Sequence, residues 1–292
     1  MKFTIQDFRQ QFPNDAACLR EVMRLRFGSV TVCPHIDCGK ETKFHRVKGR
    51  RCFECQWCGY QMYPTKGTIF EKSSTPLQLW FYAIYLMTAT RSGVSAKELQ
   101  RQLGVTYKTA WRMAHEIRKL MGRRHPIQLR GHVEIDDAYI GGERSGLRGR
   151  GARGKTIVIG MVQRAGQIRA KTVPDLRRST VMPLICQTVS PAANISTDEY
   201  TTYSTLKQLG YRHKTIQHGA GEYVRGRTHT QTIEGFWSQL KRSISGTHVW
   251  VSKRHLQRYV DEFAFRFNQR HEPEPMFTVL LSHLAQPVLG RG

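Results

Sequence analysis

His132-Val-Glu-Ile-Asp-Asp-Ala-Tyr-Ile-Gly-Gly142 is the stretch on which the fold turns. Apolar and polar residues alternate from His132 to Ile140 with the two-residue period of a strand, and Gly141-Gly142 ends it. Asp136 stands inside this apolar strand, beside Ile135 and ahead of Tyr139-Ile140. A carboxylate there is costly unless it binds a cation or a partner. Alternation puts Asp136 on the face opposite Ile135, but it does not say which face carries a site, and Glu134 and Asp137 are close neighbours.

Working towards the C-terminus, a Gly/Arg-rich loop spans 143–155, and 156–163 and 167–173 read as a hairpin about Ala165-Gly166. A helix at 179–189, a strand at 194–197, a helix at 201–209 and a strand near 214–217 follow. Helical patterns return at 228–243 and 253–270. Strands interleaved with helices predict an α/β domain over 130–275, with 276–292 as a tail. Asp198 closes the short strand, with Glu199 beside it, and Glu234 lies in the helical stretch Thr230-Gln-Thr-Ile-Glu-Gly-Phe-Trp-Ser-Gln-Leu-Lys-Arg242. Singly, each acid reads best as a surface or salt-bridged residue. Together, carboxylates on strand, strand and helix can gather around two magnesium or manganese ions, which activate an attacking oxygen and stabilise a leaving one in phosphodiester displacement. Lys241 lies two helical turns after Glu234 on the same face, with Arg242 next to it, where they can hold a DNA phosphate; Gln231 is one turn earlier.

On the N-terminal side, His125-Pro126 marks a boundary, and 73–124 reads as a helical region. A helix with Pro76 in its first turn runs to a stop at Gly93. The helices at 95–103 and 106–121 have the form of a helix-turn-helix: Ser95 with Glu98 as a capping box, Gly104 at the turn and Thr106 as the second cap. Tyr107, Lys108, Thr109, Arg112 and His115 then face a major groove, backed by Ala110, Met113 and Ile117. An ordinary helical hairpin uses the same turn.

Before these helices, 29–72 carries Cys33-Pro-His-Ile-Asp-Cys38 and Cys55-Gln-Trp-Cys58, each pair followed by glycine. Tetrahedral zinc takes four thiolates, and each short turn presents two of them, so Cys33, Cys38, Cys55 and Cys58 are the expected ligands. The four-residue spacing of the first pair leaves His35 as a competitor and Cys52 as a spare; Cys18 and Cys186 read as buried small hydrophobes. Residues 1–28 form a helical lead-in, with Phe8, Phe12, Leu19, Val22, Met23 and Leu25 as its apolar pattern.

Of the 292 residues, 46 are basic and 22 acidic, for a net charge of +24. A surplus of that size calls for a polyanionic partner, and nucleic acid is the commonest. Arg148, Arg150 and Arg153 in the Gly/Arg loop either track a DNA backbone or form a solvated hairpin. Trp237 and Trp250 offer rings to a displaced base, although the helical spacing of Trp237 favours the core; His213 and His218 read as hydrogen-bonded structural groups. The longest apolar run, Leu79 to Met87, falls well below the roughly 18–20 residues that span a bilayer. Asp7, Arg9 and Asp15 interrupt any signal peptide, so a reducing cytoplasm is expected, where clustered cysteines hold metal rather than disulfides.

Val133-Glu-Ile-Asp-Asp-Ala-Tyr-Ile-Gly-Gly142, Thr197-Asp-Glu-Tyr200, His229-Thr-Gln-Thr-Ile-Glu-Gly-Phe-Trp-Ser-Gln-Leu-Lys241, Gly67-Thr-Ile-Phe70 and Leu256-Gln-Arg-Tyr-Val-Asp-Glu-Phe-Ala-Phe-Arg-Phe-Asn268 together resemble the insertion-sequence 1595 family of DDE transposases. The resemblance covers about Phe12 to Arg270. It implies an RNase H-like catalytic domain, divalent-metal catalysis, and recognition of terminal inverted repeats in double-stranded DNA by a homodimer or higher oligomer. It also implies a nucleoid-associated protein of bacterial type. It maps the first two acids to Asp136 and Asp198 and favours Glu234 as the third, with Gln231 standing where relatives often carry Asn. The rival expectations are a DNA-binding regulator that keeps the fold as a scaffold and a nuclease that cuts without joining.

Overall fold

The computed structural model describes residues 3–123, 128–141, 154–216 and 229–285. The chain divides into two compact units, Met1–Met121 with Pro273–Gly292, and Gly122–Glu272.

In the first unit the expected lead-in is two helices, α1 (Ile5–Gln11) and α2 (Asp15–Phe27). Pro13 carries no backbone N–H to continue α1, and the Asn14 side chain caps α2 by accepting from the Ala17 N–H at 3.0 Å. An antiparallel three-stranded sheet follows, β1 (Phe44–Arg46), β2 (Phe53–Cys55) and β3 (Gln61–Met62). Then come α3 (Leu77–Ala89), α4 (Ala96–Leu103) and α5 (Tyr107–Met121). Gly104 takes the left-handed conformation (φ +64°) that lets α4 stop and the chain turn into α5. Ser95 caps α4 as expected, accepting the Glu98 N–H at 3.1 Å. The Glu98 carboxylate, however, pairs with Arg101 and Gln102 on its own helix, so only half of the capping box forms. The expected C-terminal tail contains a helix, Met276–Ser282. Its Phe277 stacks on Phe3 and meets the rings of Phe8 and Phe12, which is apolar surface a free tail would leave in water.

The second unit holds a five-stranded sheet made of β4 (His132–Ile140), β5 (Thr156–Gln163), β6 (Ile168–Val173), β7 (Asn194–Asp198) and β8 (Arg212–Ile216). The order is β6-β5-β4-β7-β8. β4 to β6 form an antiparallel meander, whereas β7 runs parallel to β4 and β8 parallel to β7. α6 (Arg178–Thr188) covers one face, where Val133, Ile135, Met161, Val181, Ile185 and Ile195 pack. α7 (Gln231–Ser243) and α8 (Leu256–Asn268) cover the other, with Ala138, Val158, Ile233, Trp237, Leu240 and Phe263. Cover on both faces explains the nearly continuous apolar run of β5. The helix expected at 201–209 is a single 3-10 stretch, Thr201–Leu206. There the Ser204 hydroxyl bonds the Thr201 carbonyl, and Thr202 donates across to the Leu176 carbonyl, so the hydroxyls compete with a regular helix.

Candidate active site and zinc knuckles

β4 and β7 pair in parallel from His132↔Asn194 to Glu134↔Ser196. Two residues further in the same register, Asp198 comes level with Asp136, just beyond the last paired residues. Carboxylate oxygens of Asp136, Asp137 and Asp198 there lie within 4.8 Å of one another. Asp136 belongs to the face under α7, where Trp237 Nε1 donates to its Oδ2 at 3.1 Å. Asp137 belongs to the α6 face, with the Tyr203 hydroxyl 3.5 Å from its Oδ1. Asp198 Oδ1 accepts from the Tyr200 N–H. Burial first, and then the neighbouring Asp137 and Asp198 carboxylates, push the Asp136 carboxyl up to about 7. Three carboxylate oxygens this close together suit a hard divalent cation, which would offset the burial and like-charge penalties on Asp136. Glu234 is exposed on α7, accepts from the Thr230 hydroxyl at 2.8 Å, and lies outside this 4.8 Å group.

Two residues that hold the arrangement were not singled out in the sequence reading. Glu134, on the same strand face as Asp136, is completely buried. It accepts from the backbone N–H groups of Thr232 (2.9 Å) and Ile233 (3.1 Å), which open α7, and pairs with Arg164 Nε at 2.7 Å. A carboxylate at a helix N-terminus satisfies orphan donors and meets the positive end of the helix dipole. Arg164 also donates to the His229 carbonyl, so the approach to α7 is tied to the same ion pair. The second residue is Gly160, the register partner of Asp136. A Cβ on it would lie 2.7 Å from Trp237 Cζ2 and 2.9 Å from Ile233 Cδ1, so its missing side chain is what lets the indole reach Asp136. Trp237 is a buried core residue, as its spacing predicted.

In the first unit, Cys33, Cys38, Cys55 and Cys58 bring their sulfurs within 4.8 Å of one another. The Cys33–Cys58 and Cys38–Cys55 separations are 3.6 and 4.0 Å. Four thiolates at about 2.3 Å from a central zinc would stand roughly 3.8 Å apart, so the cluster has the dimensions of a zinc tetrahedron. Burial raises the Cys55 thiol, but the Thr42 hydroxyl and the Cys58 and Trp57 N–H groups outweigh it and bring the thiol down to about 6. His35 stays outside the group and packs its ring on Tyr60, and Cys52 is buried apart from the group. Cys18 is buried as expected, whereas Cys186 is exposed. It stands one residue past Ile185, beyond the Val181, Met182 and Ile185 stripe by which α6 meets the sheet.

Of the groove-facing candidates on α5, Tyr107, Lys108 and Arg112 are exposed and Thr109 is half-buried. His115 is not available: it is 2% exposed, with its ring 4.0 Å from that of Trp111. It follows Ala114 on a buried stripe made wider than the simple pattern by Arg118, which bonds the Val94 carbonyl. Lys241 and Arg242 are exposed at the end of α7. Arg148, Arg150, Arg153 and His218 lie outside the described residues. His213 is buried with its Nε2 2.9 Å from the Thr197 hydroxyl; burial, then Lys207, push its pKa down to about 4, and it stays neutral.

Residues 128–268 match the ISXO2-like transposase domain, and residues 13–61 match the transposase zinc-ribbon domain. These two modules on one chain define a zinc-ribbon transposase of the DDE class. The chain belongs to the insertion-sequence 1595 family. It is 27% identical to a protein in transposable element ISH50 of Halobacterium salinarum, over 92% of this chain and 97% of that protein. A transposase-like protein of Haemophilus influenzae is 27% identical over 33% of this chain and 76% of its own length. Among the described residues, no helix is long and apolar enough to cross a membrane.

Proposed function

We propose that this chain binds the inverted-repeat ends of an insertion sequence and catalyses metal-dependent DNA cleavage and strand transfer. The observation that carries the proposal is the convergence of Asp136 and Asp198 at the end of the β4–β7 ladder, within the stretch that matches a transposase domain. A meander followed by two parallel strands, with helices on both faces, supports an RNase H-like reading of this domain.

In this reading Asp136 and Asp198 hold the catalytic magnesium or manganese, and Glu234 completes the set from α7. Asp137 is a second candidate for the third place, because it lies in the same 4.8 Å group. The bound cations lower the cost of negative charge on the reacting phosphate and on the attacking and leaving oxygens. Trp237 orients Asp136 through its Nε1–H, and Glu134 fixes the start of the helix that carries Glu234 and Lys241. Lys241 and Arg242 take DNA phosphates, and the zinc ribbon seats the DNA end. The α4–α5 pair acts as a helix-turn-helix through Tyr107, Lys108, Thr109 and Arg112, with Arg148, Arg150 and Arg153 adding backbone contacts. Joining two ends requires at least a dimer.

The test incubates the protein and magnesium with labelled element ends and a target plasmid. Joined products support the transposase. Cleavage alone points to a nuclease, and shifted but uncut DNA to a regulator. Asp136→Asn and Asp198→Asn are expected to bind without reacting, and undiminished cutting by either overturns the site. Glu234→Gln set beside Asp137→Asn decides the third ligand, since only the true one abolishes chemistry.

A further inference from the structure

α7 does not end in an ordinary cap. It runs into a π-turn, Ile244–His248, followed by Val249 at φ +63° and ψ −54°. The Trp250 N–H bonds back to the His248 carbonyl at 2.6 Å, closing a γ-turn of the rare positive-φ hand. A β-branched residue is the least suited to that conformation, and such strain persists only where its surroundings impose it. Ile244 and Val251, both buried, root the turn on either side. At its tip Val249 is 82% and Trp250 52% exposed. The molecule thus holds a large aromatic and a branched aliphatic residue out in water on a strained backbone, an arrangement that packing of the free chain does not reward.

The surroundings indicate what the tip meets. Between Gly235 and Val260 there is no acidic residue, whereas Lys241, Arg242, Lys253 and Arg254 flank the turn and are exposed. An apolar tip whose charged neighbours along the chain are all basic fits a polyanion with flat apolar faces, which describes the bases of a nucleic acid. The turn also lies close to the acids. The Val251 carbonyl comes within 3.7 Å of where a Cβ on Gly141 would be, and Gly141 is five residues beyond Asp136 along the same chain direction. At about 3.3 Å per residue that separation is roughly 16 Å, or on the order of five base-pair steps.

We propose that the Val249–Trp250 turn is a wedge that enters bound DNA and stacks on an unpaired base a few base pairs from the phosphate held at the acids. This rests on the reading of the chain as a DNA-binding transposase. Strain already stored in the free protein keeps the ring presented, so little is lost in ordering it when DNA binds.

The test uses the full chain without added magnesium and two labelled duplexes of one sequence, one fully paired and one with a three-nucleotide unpaired bubble. Wild type is expected to bind the bubble roughly tenfold tighter, the fold-change expected for stacking one base on an aromatic ring. Trp250→Ala is expected to bind both duplexes alike, at the wild-type affinity for the paired form, while Trp250→Phe retains most of the preference. The wedge is overturned if wild type shows no preference, if Trp250→Ala keeps it, or if that variant loses both duplexes equally. A shift of Trp250→Ala to a smaller sedimenting species with an intact bubble preference assigns the turn to a second copy of the chain and also overturns it. A wild-type chain that binds neither duplex refutes the DNA reading itself, which is a separate result.

Discussion

Replacing Asp136 by Asn tests the electrostatics of the acid cluster without reference to catalysis. In the metal-free protein, burial and the neighbouring Asp137 and Asp198 carboxylates move the Asp136 carboxyl from its ordinary value of 3.8 up to about 7. The folded state therefore holds a proton that the unfolded chain has already released, and stability falls as pH rises between those values. At 1.36 kcal/mol per unit, the carboxyl costs the fold on the order of 4 kcal/mol at pH 8 but under about 2 kcal/mol at pH 5. An asparagine side chain carries no charge, and its oxygen can still accept from Trp237 Nε1.

Asp136→Asn should therefore leave the metal-free protein more stable than wild type, by a margin that widens from pH 5 to about pH 7 and then levels off. Urea unfolding followed by circular dichroism at several pH values, with no added divalent cation, measures that margin. Millimolar magnesium should narrow that margin at pH 8, raising the midpoint of wild type more than that of Asp136→Asn. A margin independent of pH, or a variant less stable than wild type throughout, would refute the argument.

Three further perturbations address the rest of the structure. Cys55→Ala should abolish zinc binding, read as metal per chain by mass spectrometry, whereas Cys52→Ala, outside the sulfur cluster, should keep a full complement. Glu134→Gln leaves Arg164 without its buried counter-charge and should cost about 3–5 kcal/mol of unfolding free energy; a loss below about 1 kcal/mol would show that Arg164 finds another partner. Gly160→Ala puts a methyl 2.7 Å from Trp237, which should cost roughly 1–3 kcal/mol and displace the indole from Asp136. Its signature is a loss of strand cleavage larger than the loss of DNA affinity, measured on the same DNA ends.

Much of this was legible along the chain because it depends on short-range spacing. The strand at His132–Ile140 lies where alternation and glycine put it, and the strand Thr156–Gln163 where the hairpin about Ala165-Gly166 put it. The two cysteine pairs could be read as one cluster because each pair lies on a single turn. Features that depend on what arrives from elsewhere were not legible. His115 on its helix gives no sign that Trp111 and the widened stripe bury it. Cys186, a residue type that is usually buried, falls just past the edge of its helix's inner stripe. Glu134 reads as one more acid in a strand until α7, about a hundred residues later, brings its first N–H groups to it.

By itself, the sequence determined the local periods, the zinc knuckles and the strand that carries Asp136, since these need only neighbours a few residues apart. Only the tertiary structure decided that Asp198 stands beside Asp136, that Asp137 joins them, and that a missing Cβ at Gly160 brings Trp237 onto the first acid. Those outcomes follow from the register of parallel strands and the packing of a helix on a sheet, which are set by contacts between residues that are tens of positions apart and leave no periodic trace in the chain.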